Sequence, residues 1–126
     1  MGYPKSGLTL DEIQDEVRFV NVDKGWRGGM NTFGDYIALL HSELSEALEA
    51  FRDNGIADQT EPDNGIGATP KPEGVGSEFA DVLIRLIDTC DVYGIDLEAE
   101  YRRKIAYNKT RPYQHGGRTL FDKEPK

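Results

Sequence analysis

Apolar residues recur with a helical period in two long stretches of this chain, and this pattern most constrains its fold. From Thr32 to about Asp53, and again from between Pro72 and Ser77 to Tyr93, they follow one another at intervals of three or four residues. That spacing places them on one face of an α-helix. No apolar–polar alternation is long enough to predict a strand, so the sequence predicts an all-α fold. The expected core faces are Phe33, Ile37, Leu40, Leu44, Leu48 and Phe51 on the first stretch and Phe79, Val82, Leu83, Leu86, Cys90 and Tyr93 on the second.

Helix-start and helix-stop signals predict a four-helix, bundle-like chain. Thr9 followed by Glu12 has the spacing of a capping box, in which each residue accepts a hydrogen bond from the other's backbone. Gly94 is the expected C-terminal signal of the third helix. The expected N-caps are Thr9, Thr32 and Asp96, together with a start of the third helix between Pro72 and Ser77, and the expected ends lie near Val22, Asp53, Tyr93 and Lys109.

Two further segments are predicted to be irregular. Residues 54–76 are rich in Gly, Pro, Asn and Asp and lack periodicity, which predicts an unusually long loop. Pro112 and the following Gly116-Gly117 pair prevent continuation of the fourth helix, so the tail from about residue 112 is expected to be irregular. The whole chain, residues 1–126, is expected to form a single domain.

Composition excludes several classes of function. The net charge of −8 argues against nonspecific nucleic-acid binding, which needs a basic surface. No run of about 18 apolar residues is present, and the N-terminus lacks a hydrophobic signal core, so we expect neither a membrane span nor secretion but a cytoplasmic protein. The single cysteine, Cys90, lies on an apolar face and is expected to be a buried structural thiol.

Two pairs of carboxylates carry the chemistry of this sequence. Glu43 and Glu46 form one pair with i, i+3 spacing, and Glu78 and Asp81 form a second. Residues three apart share a helix face, so two facing helices would bring four carboxylates together. Four like charges require a neutralising cation, and oxygen ligands without His or Cys suit Mg²⁺.

A single pair of this kind commonly marks a solvated helix face, and spacing alone leaves that alternative open beside the metal site. A di-iron site of the ferritin type is excluded because neither Glu43 nor Glu78 is followed by His three residues later. His41 stands only two residues before Glu43, which is poor helical geometry for a shared ligand. It is expected to be a partly buried polar residue.

Three residues near the end of the fourth helix and one tryptophan are candidate substrate contacts. Lys104 and Asn108 are four residues apart on one helix face, and Arg111 follows just beyond. They could bind phosphate, although cations also favour a helix C-terminus for electrostatic reasons. Trp26, the only tryptophan, could stack on a nucleobase or pack over the end of the bundle.

Taken together, these residues resemble the MazG-like nucleotide pyrophosphohydrolases of the all-α NTP pyrophosphatase superfamily. The resemblance covers roughly residues 17–120. It is carried by residues 39–49 (LLHSELSEALE), 78–85 (EFADVLIR), 104–112 (KIAYNKTRP) and 115–118 (HGGR). Two departures are the long loop and Arg118, where the family often has Lys.

The resemblance implies an oligomeric helical protein, a homodimer or homotetramer, that cleaves a (d)NTP between the α and β phosphates. It implies that Glu43, Glu46, Glu78 and Asp81 hold Mg²⁺, with Mn²⁺ as a substitute, and that Glu46 or Glu43 assists the attacking water. Lys104, Asn108 and Arg111 would contact phosphates or ribose, and Trp26 would border the base. The alternatives are a nucleotide-binding regulatory module of the same fold and a helical oligomerisation domain with a solvated acidic face.

Overall fold

The chain is all-helical across the residues described by the computed structural model, which are 8–27, 29, 31–60 and 69–113. The helices are α1 (Leu10–Asp23), α2 (Phe33–Asn54), α3 (Val75–Val92) and α4 (Leu97–Thr110). No strand occurs in these ranges. The prediction of an all-α chain with four helices is confirmed, and each boundary falls within about two residues of the sequence signals. The turn at residues 115–118 lies outside the described residues.

Local capping chemistry explains where the helices begin and end. Thr9 and Thr32 each form a complete capping box, with Glu12 and Asp35 respectively. The Asp96 carboxylate accepts a hydrogen bond from Ala99 N at 3.0 Å and caps α4. Beyond α3, Gly94 adopts φ +67° while Ile95 N donates to Cys90 O at 2.8 Å. This is a Schellman motif, with the glycine just past the cap as the sequence predicts.

The antiparallel pair of α2 and α3 forms the centre of the fold. Phe33, at the start of α2, makes an edge-to-face contact with Tyr93 at the end of α3, with ring centroids 5.1 Å apart. Near the middle of the pair, Glu43 on α2 contacts Arg85 on α3. Ile87 is wholly buried, and Cys90 is buried as predicted. Side chains on α2 and α3 can therefore face each other along the line where the two helices meet.

Helices α1 and α4 are attached to this pair in series. α1 packs on α3 through Arg18, whose Nε donates to both carboxylate oxygens of Asp91 at 2.9 Å. α4 packs on α1, where Glu98 Oε1 accepts a hydrogen bond from Leu10 N at 3.1 Å. α4 has no buried residue. No helix in the described part of the chain is long and apolar enough to cross a membrane.

The prediction of which α2 residues form the core is wrong for a single chain. The α2 residues that become buried are Glu43 and Ala47, whereas Leu48 and Phe51 from the predicted stripe remain 50% and 51% exposed. The same holds on α3, where Phe79 is 56% exposed. The small Ala47 suits close helix approach, and the bulky stripe is left on the outside. A broad apolar face of α2 and α3 thus lies open to solvent. Its members are Phe33, Ile37, Leu44, Leu48, Phe51, Phe79, Leu83 and Leu86.

The connection between α2 and α3 comprises residues 55–74, of which 55–60 and 69–74 are described, and these two described ends are tied together. Gln59 N donates to Glu73 O at 3.0 Å. Gly74 has φ +107°, and a Cβ atom there would lie 3.0 Å from Ala57 O. A left-handed backbone angle and close packing both require glycine at this point. The loop therefore enters α3 through a fixed turn.

Candidate metal centre and adjoining cleft

Three of the four predicted carboxylates meet between α2 and α3. Glu43, Glu46 and Glu78 each offer one carboxylate oxygen, and these oxygens lie within 4.8 Å of one another. Glu43 is buried, Glu78 is half-buried and Glu46 is exposed. The i, i+3 spacing on α2 and the antiparallel pairing with α3 produce this convergence. A cation at this point could contact all three side chains.

Asp81 lies beside the cluster rather than inside it. It is not part of the group of oxygens within 4.8 Å, yet it lines the same cleft as Glu43. Burial raises the pKa of Asp81, and the charge of Glu43 raises it further. The second pair is therefore divided, with Glu78 in the cluster and Asp81 at the cleft wall.

Two oxygens of the cluster have no hydrogen-bond partner in the described part of the chain. They are Glu43 Oε2 and Glu78 Oε2, and both are inaccessible to solvent. Burying a carboxylate oxygen without a donor or cation is costly. These two atoms belong to different helices and to the same cluster. They fit a site that is completed by a cation.

Arg85 supplies a positive charge in direct contact with the cluster. Its Nε donates to Glu43 Oε1 at 2.6 Å, and its side chain is 41% exposed. Arg85 holds the pKa of Glu43 below its usual range although burial opposes this. The cluster is therefore partly neutralised from one side by a guanidinium that reaches the cleft.

Mutual repulsion appears most clearly at Glu78. Burial and then the neighbouring charges of Glu46, Asp81 and Glu43 raise the pKa of Glu78 from 4.5 to about 7. Without a cation, the cluster thus resists full ionisation near neutral pH. Since a divalent cation would favour the ionised form, metal binding and proton release should be coupled here.

A cleft of about 580 Å³ adjoins this centre at Glu43, whereas Glu46 and Glu78 do not line it. That volume lies within the range of small-molecule sites. Trp26, from the turn after α1, lines this cleft. A residue that contacts the base, as the sequence predicts for Trp26, would have to lie there. The lining residues are Asn21, Trp26, Asn31, Tyr36, Leu39, Glu43, Asp81, Ile84, Arg85 and Asp88.

The predicted phosphate contacts of α4 are not at this cleft within one chain. Lys104 and Asn108 are exposed, and Arg111 is the C-cap residue of α4. Lys104 lines a different hollow together with Tyr101 and Tyr107. Helix α4 packs on α1, and none of the three residues lines the cleft. Any role for these three residues in this cleft would require another copy of the chain.

Sequence reasoning missed three residues that shape the site and was wrong about one. Arg85 follows Asp81 by four residues, so its helical spacing could have indicated a shared face. Asp88 follows Asp81 by seven residues on the same helix flank, whereas Asn21 lines the cleft through a contact between distant segments, for which the sequence offers no local signal. His41, expected to be partly buried, is exposed.

The donor set meets the requirements of a hard divalent cation. It consists of carboxylate oxygens, with Glu43, Glu46 and Glu78 clustered and Asp81 nearby. Mg²⁺ prefers oxygen ligands and is usually bound by a few carboxylates together with substrate phosphates. No protein-family model, curated protein or solved structure matches this chain. Its function must therefore be argued from the site itself.

Proposed function

We propose that this protein is a Mg²⁺-dependent nucleoside triphosphate pyrophosphohydrolase that cleaves a (d)NTP into (d)NMP and pyrophosphate. The observation that carries the proposal is the cluster of Glu43, Glu46 and Glu78, whose oxygens lie within 4.8 Å of one another. Through Glu43 it adjoins a cleft that Trp26 also lines. An acidic cation site joined to an aromatic surface suits a ligand with polyphosphate at one end and a base at the other.

Glu43, Glu46 and Glu78 would hold Mg²⁺, with Asp81 as a further ligand from the cleft wall; Mn²⁺ would substitute. The bound cation would neutralise phosphate oxygens and stabilise the charge that develops on the pyrophosphate leaving group. The unpartnered oxygens of Glu43 and Glu78 support this assignment. They are the atoms that gain most from a cation.

Other residues would activate the attacking water, bind phosphate and contact the base. Glu46 is the exposed carboxylate of the cluster and is the better placed to orient a water molecule and accept its proton. Glu43 is committed on one oxygen to Arg85. The Arg85 guanidinium lines the cleft, where its remaining N–H groups can donate to a phosphate. The Trp26 indole would border the base.

The open apolar face supports a homodimer or a homotetramer as the active form. Leu44, Leu48 and Phe79 are each about half exposed in the single chain, at 49%, 50% and 56%. Contiguous apolar surface of this kind marks protein–protein contact, and a symmetric pair of chains covers it most simply. In such an assembly, Lys104, Asn108 and Arg111 of one copy could reach the cleft of another.

Light scattering tests the assembly. The wild-type protein should give at least twice the 14.1 kDa chain mass. Leu48→Glu should shift it towards the monomer by placing a charge on the open face. Val22→Glu is the matched control, because Val22 is an exposed apolar residue of α1. A wild-type monomer with full catalytic activity would show that the cleft is complete within one chain.

A turnover assay tests the chemistry. The purified protein is incubated with each NTP and dNTP and Mg²⁺, and ³¹P NMR separates pyrophosphate from orthophosphate. The proposal predicts pyrophosphate and monophosphate, loss of the reaction in EDTA and recovery with Mn²⁺. Orthophosphate and diphosphate as products would contradict the cleavage position. Nucleotide binding without any turnover would support the regulatory module instead.

A further inference from the structure

The cleft has a second polar end, away from the carboxylate cluster. Asp88 follows Asp81 by seven residues on α3, which places it about 10 Å further along the helix at 1.5 Å per residue. Asn21 and Trp26 line the cleft together with Asp88. The adjoining turn is fixed at this end, because Arg27 contacts Asp88 directly. A nucleotide with its phosphates at the cluster would extend its base in this direction.

Asn21 is a buried amide that faces this cleft. It is 8% exposed, and its side chain makes no hydrogen bond with another described residue. The Asn21 backbone carbonyl accepts from Trp26 N at 2.9 Å, which ties the tryptophan's turn to the end of α1. The Asn21 amide is not among the wholly inaccessible polar groups without a partner, so it meets solvent in the cleft. A ligand with complementary groups would replace that solvent.

Asp88 presents one uncommitted carboxylate oxygen at the same end. Arg27 Nε donates to Asp88 Oδ1 at 2.7 Å, and the Arg27 terminal nitrogen lies 2.6 Å from that same oxygen. That terminal nitrogen also donates to Asp91 Oδ2 at 2.9 Å, which holds the guanidinium in place. Asp88 Oδ2 receives no hydrogen bond from the described residues. The contact at Oδ1 thus orients the Asp88 carboxylate, and Oδ2 remains able to accept a hydrogen bond from a ligand.

Resting on the function proposed above, we propose that Asn21 and Asp88 select nucleobases that carry an exocyclic amino group beside a ring-nitrogen acceptor. Cytosine and adenine have this pattern. The amino group would donate to Asp88 Oδ2, and the Asn21 amide would donate to the ring nitrogen. Uracil and thymine carry a carbonyl oxygen where cytosine and adenine carry the amine, and a carboxylate repels it. Trp26 would stack on any of these bases and adds affinity without this selection.

Fluorescence of Trp26, the only tryptophan, measures the base contact without any turnover. Wild-type protein with Mg²⁺ is titrated with dCMP, dAMP, dTMP and dUMP. We expect dCMP and dAMP to bind roughly tenfold more tightly than the carbonyl-bearing pair, equivalent to about 1.4 kcal/mol. Asp88→Asn should abolish or reverse this preference, because the new amide can donate to a carbonyl.

Two further variants keep this test decisive. Asp23→Asn removes an exposed carboxylate at the end of α1 that does not line the cleft, so its preference should match the wild type. Asn21→Leu leaves the Arg27 ion pairs intact and should weaken the binding of dCMP and dAMP more than the binding of dTMP. If Asp88→Asn fails to fold, the Asn21 variant alone decides.

The outcomes separate base selection from hydrolysis. Equal binding of all four monophosphates, no binding of any, or an unchanged preference in Asp88→Asn would overturn base selection. Preferential binding without cleavage of any triphosphate would retain base selection and refute the hydrolase. Cleavage of all triphosphates at equal efficiency would support the hydrolase and overturn base selection.

Discussion

Replacing Glu78 by glutamine should make the metal-free protein more stable at alkaline pH. The folded protein raises the pKa of Glu78 from 4.5 to about 7, through burial and the charges of Glu46, Asp81 and Glu43. A carboxyl group with a raised pKa destabilises the fold in its ionised form. Wild-type stability should therefore fall as the pH rises from about 4.5 to about 7, and this fall should be reduced in Glu78→Gln.

The size of the effect follows from the shift. A change from 4.5 to about 7 corresponds to at most about 3 kcal/mol, at 1.36 kcal/mol per pKa unit. Solvent around the exposed Glu46 screens the repulsion, so we expect about 1–2 kcal/mol. For a chain of this size that corresponds to a Tm increase of about 3–8 °C at pH 8.

Thermal unfolding in EDTA, followed by circular dichroism from pH 5 to pH 8, measures this gain. The difference in Tm between Glu78→Gln and the wild type should decrease steadily as the pH is lowered from 8 to 5. Glu16→Gln, an exposed glutamate of α1, is the control and should show little pH-dependent change. With Mg²⁺ added, the wild type should gain stability and Glu78→Gln much less. A Glu78→Gln protein that is less stable than the wild type at pH 8 in EDTA would refute repulsion within the cluster.

Three other substitutions test separate parts of the site and fold. Glu46→Gln should abolish turnover and leave the fold intact, with a slightly higher metal-free Tm; near wild-type rates at saturating Mg²⁺ would exclude its proposed role. Arg85→Gln should cost about 1–2 kcal/mol at pH 7, because the buried Glu43 loses its partner. Since the pKa of Glu43 is lowered, this loss should fade in acid, and a denaturation series that shows no such fading would contradict the ion pair. Gly74→Ala should cost about 1–3 kcal/mol, whereas Gly76→Ala inside α3, with open space around it, should be neutral or stabilising by up to about 1 kcal/mol; equal Tm values for the two variants would contradict the strained turn.

The helices were predictable because their signals are local. Thr9 and Thr32 bond to residues three positions later, and Gly94 completes a motif within a few residues of the end of α3. The convergence of Glu43 and Glu78 was also predictable, since both flank the apolar stripes of two helices that pack together. The capping motifs depend on local sequence alone, and the convergence requires only that α2 and α3 pack side by side.

The remaining features depend on which faces meet, and spacing does not determine this. The stripe containing Leu48 was expected to pack within the chain, but the structure buries Ala47 and leaves Leu48 half exposed. A stripe has the same sequence pattern whether it packs inside one chain or against another. The position of α4 on α1, which separates Lys104 from the carboxylates, likewise has no local signal. Asn21 and Asp88 came into view only through their shared cleft.

The most direct measurement of the metal centre is anomalous diffraction from crystals soaked in Mn²⁺. A single strong peak is predicted between α2 and α3, within bonding distance of carboxylate oxygens from Glu43, Glu46 and Glu78, and Glu46→Gln crystals should show a weaker one. An ordered cluster without a peak at millimolar Mn²⁺, or peaks only on exposed carboxylates elsewhere, would contradict the assignment of this cluster as a divalent-cation site.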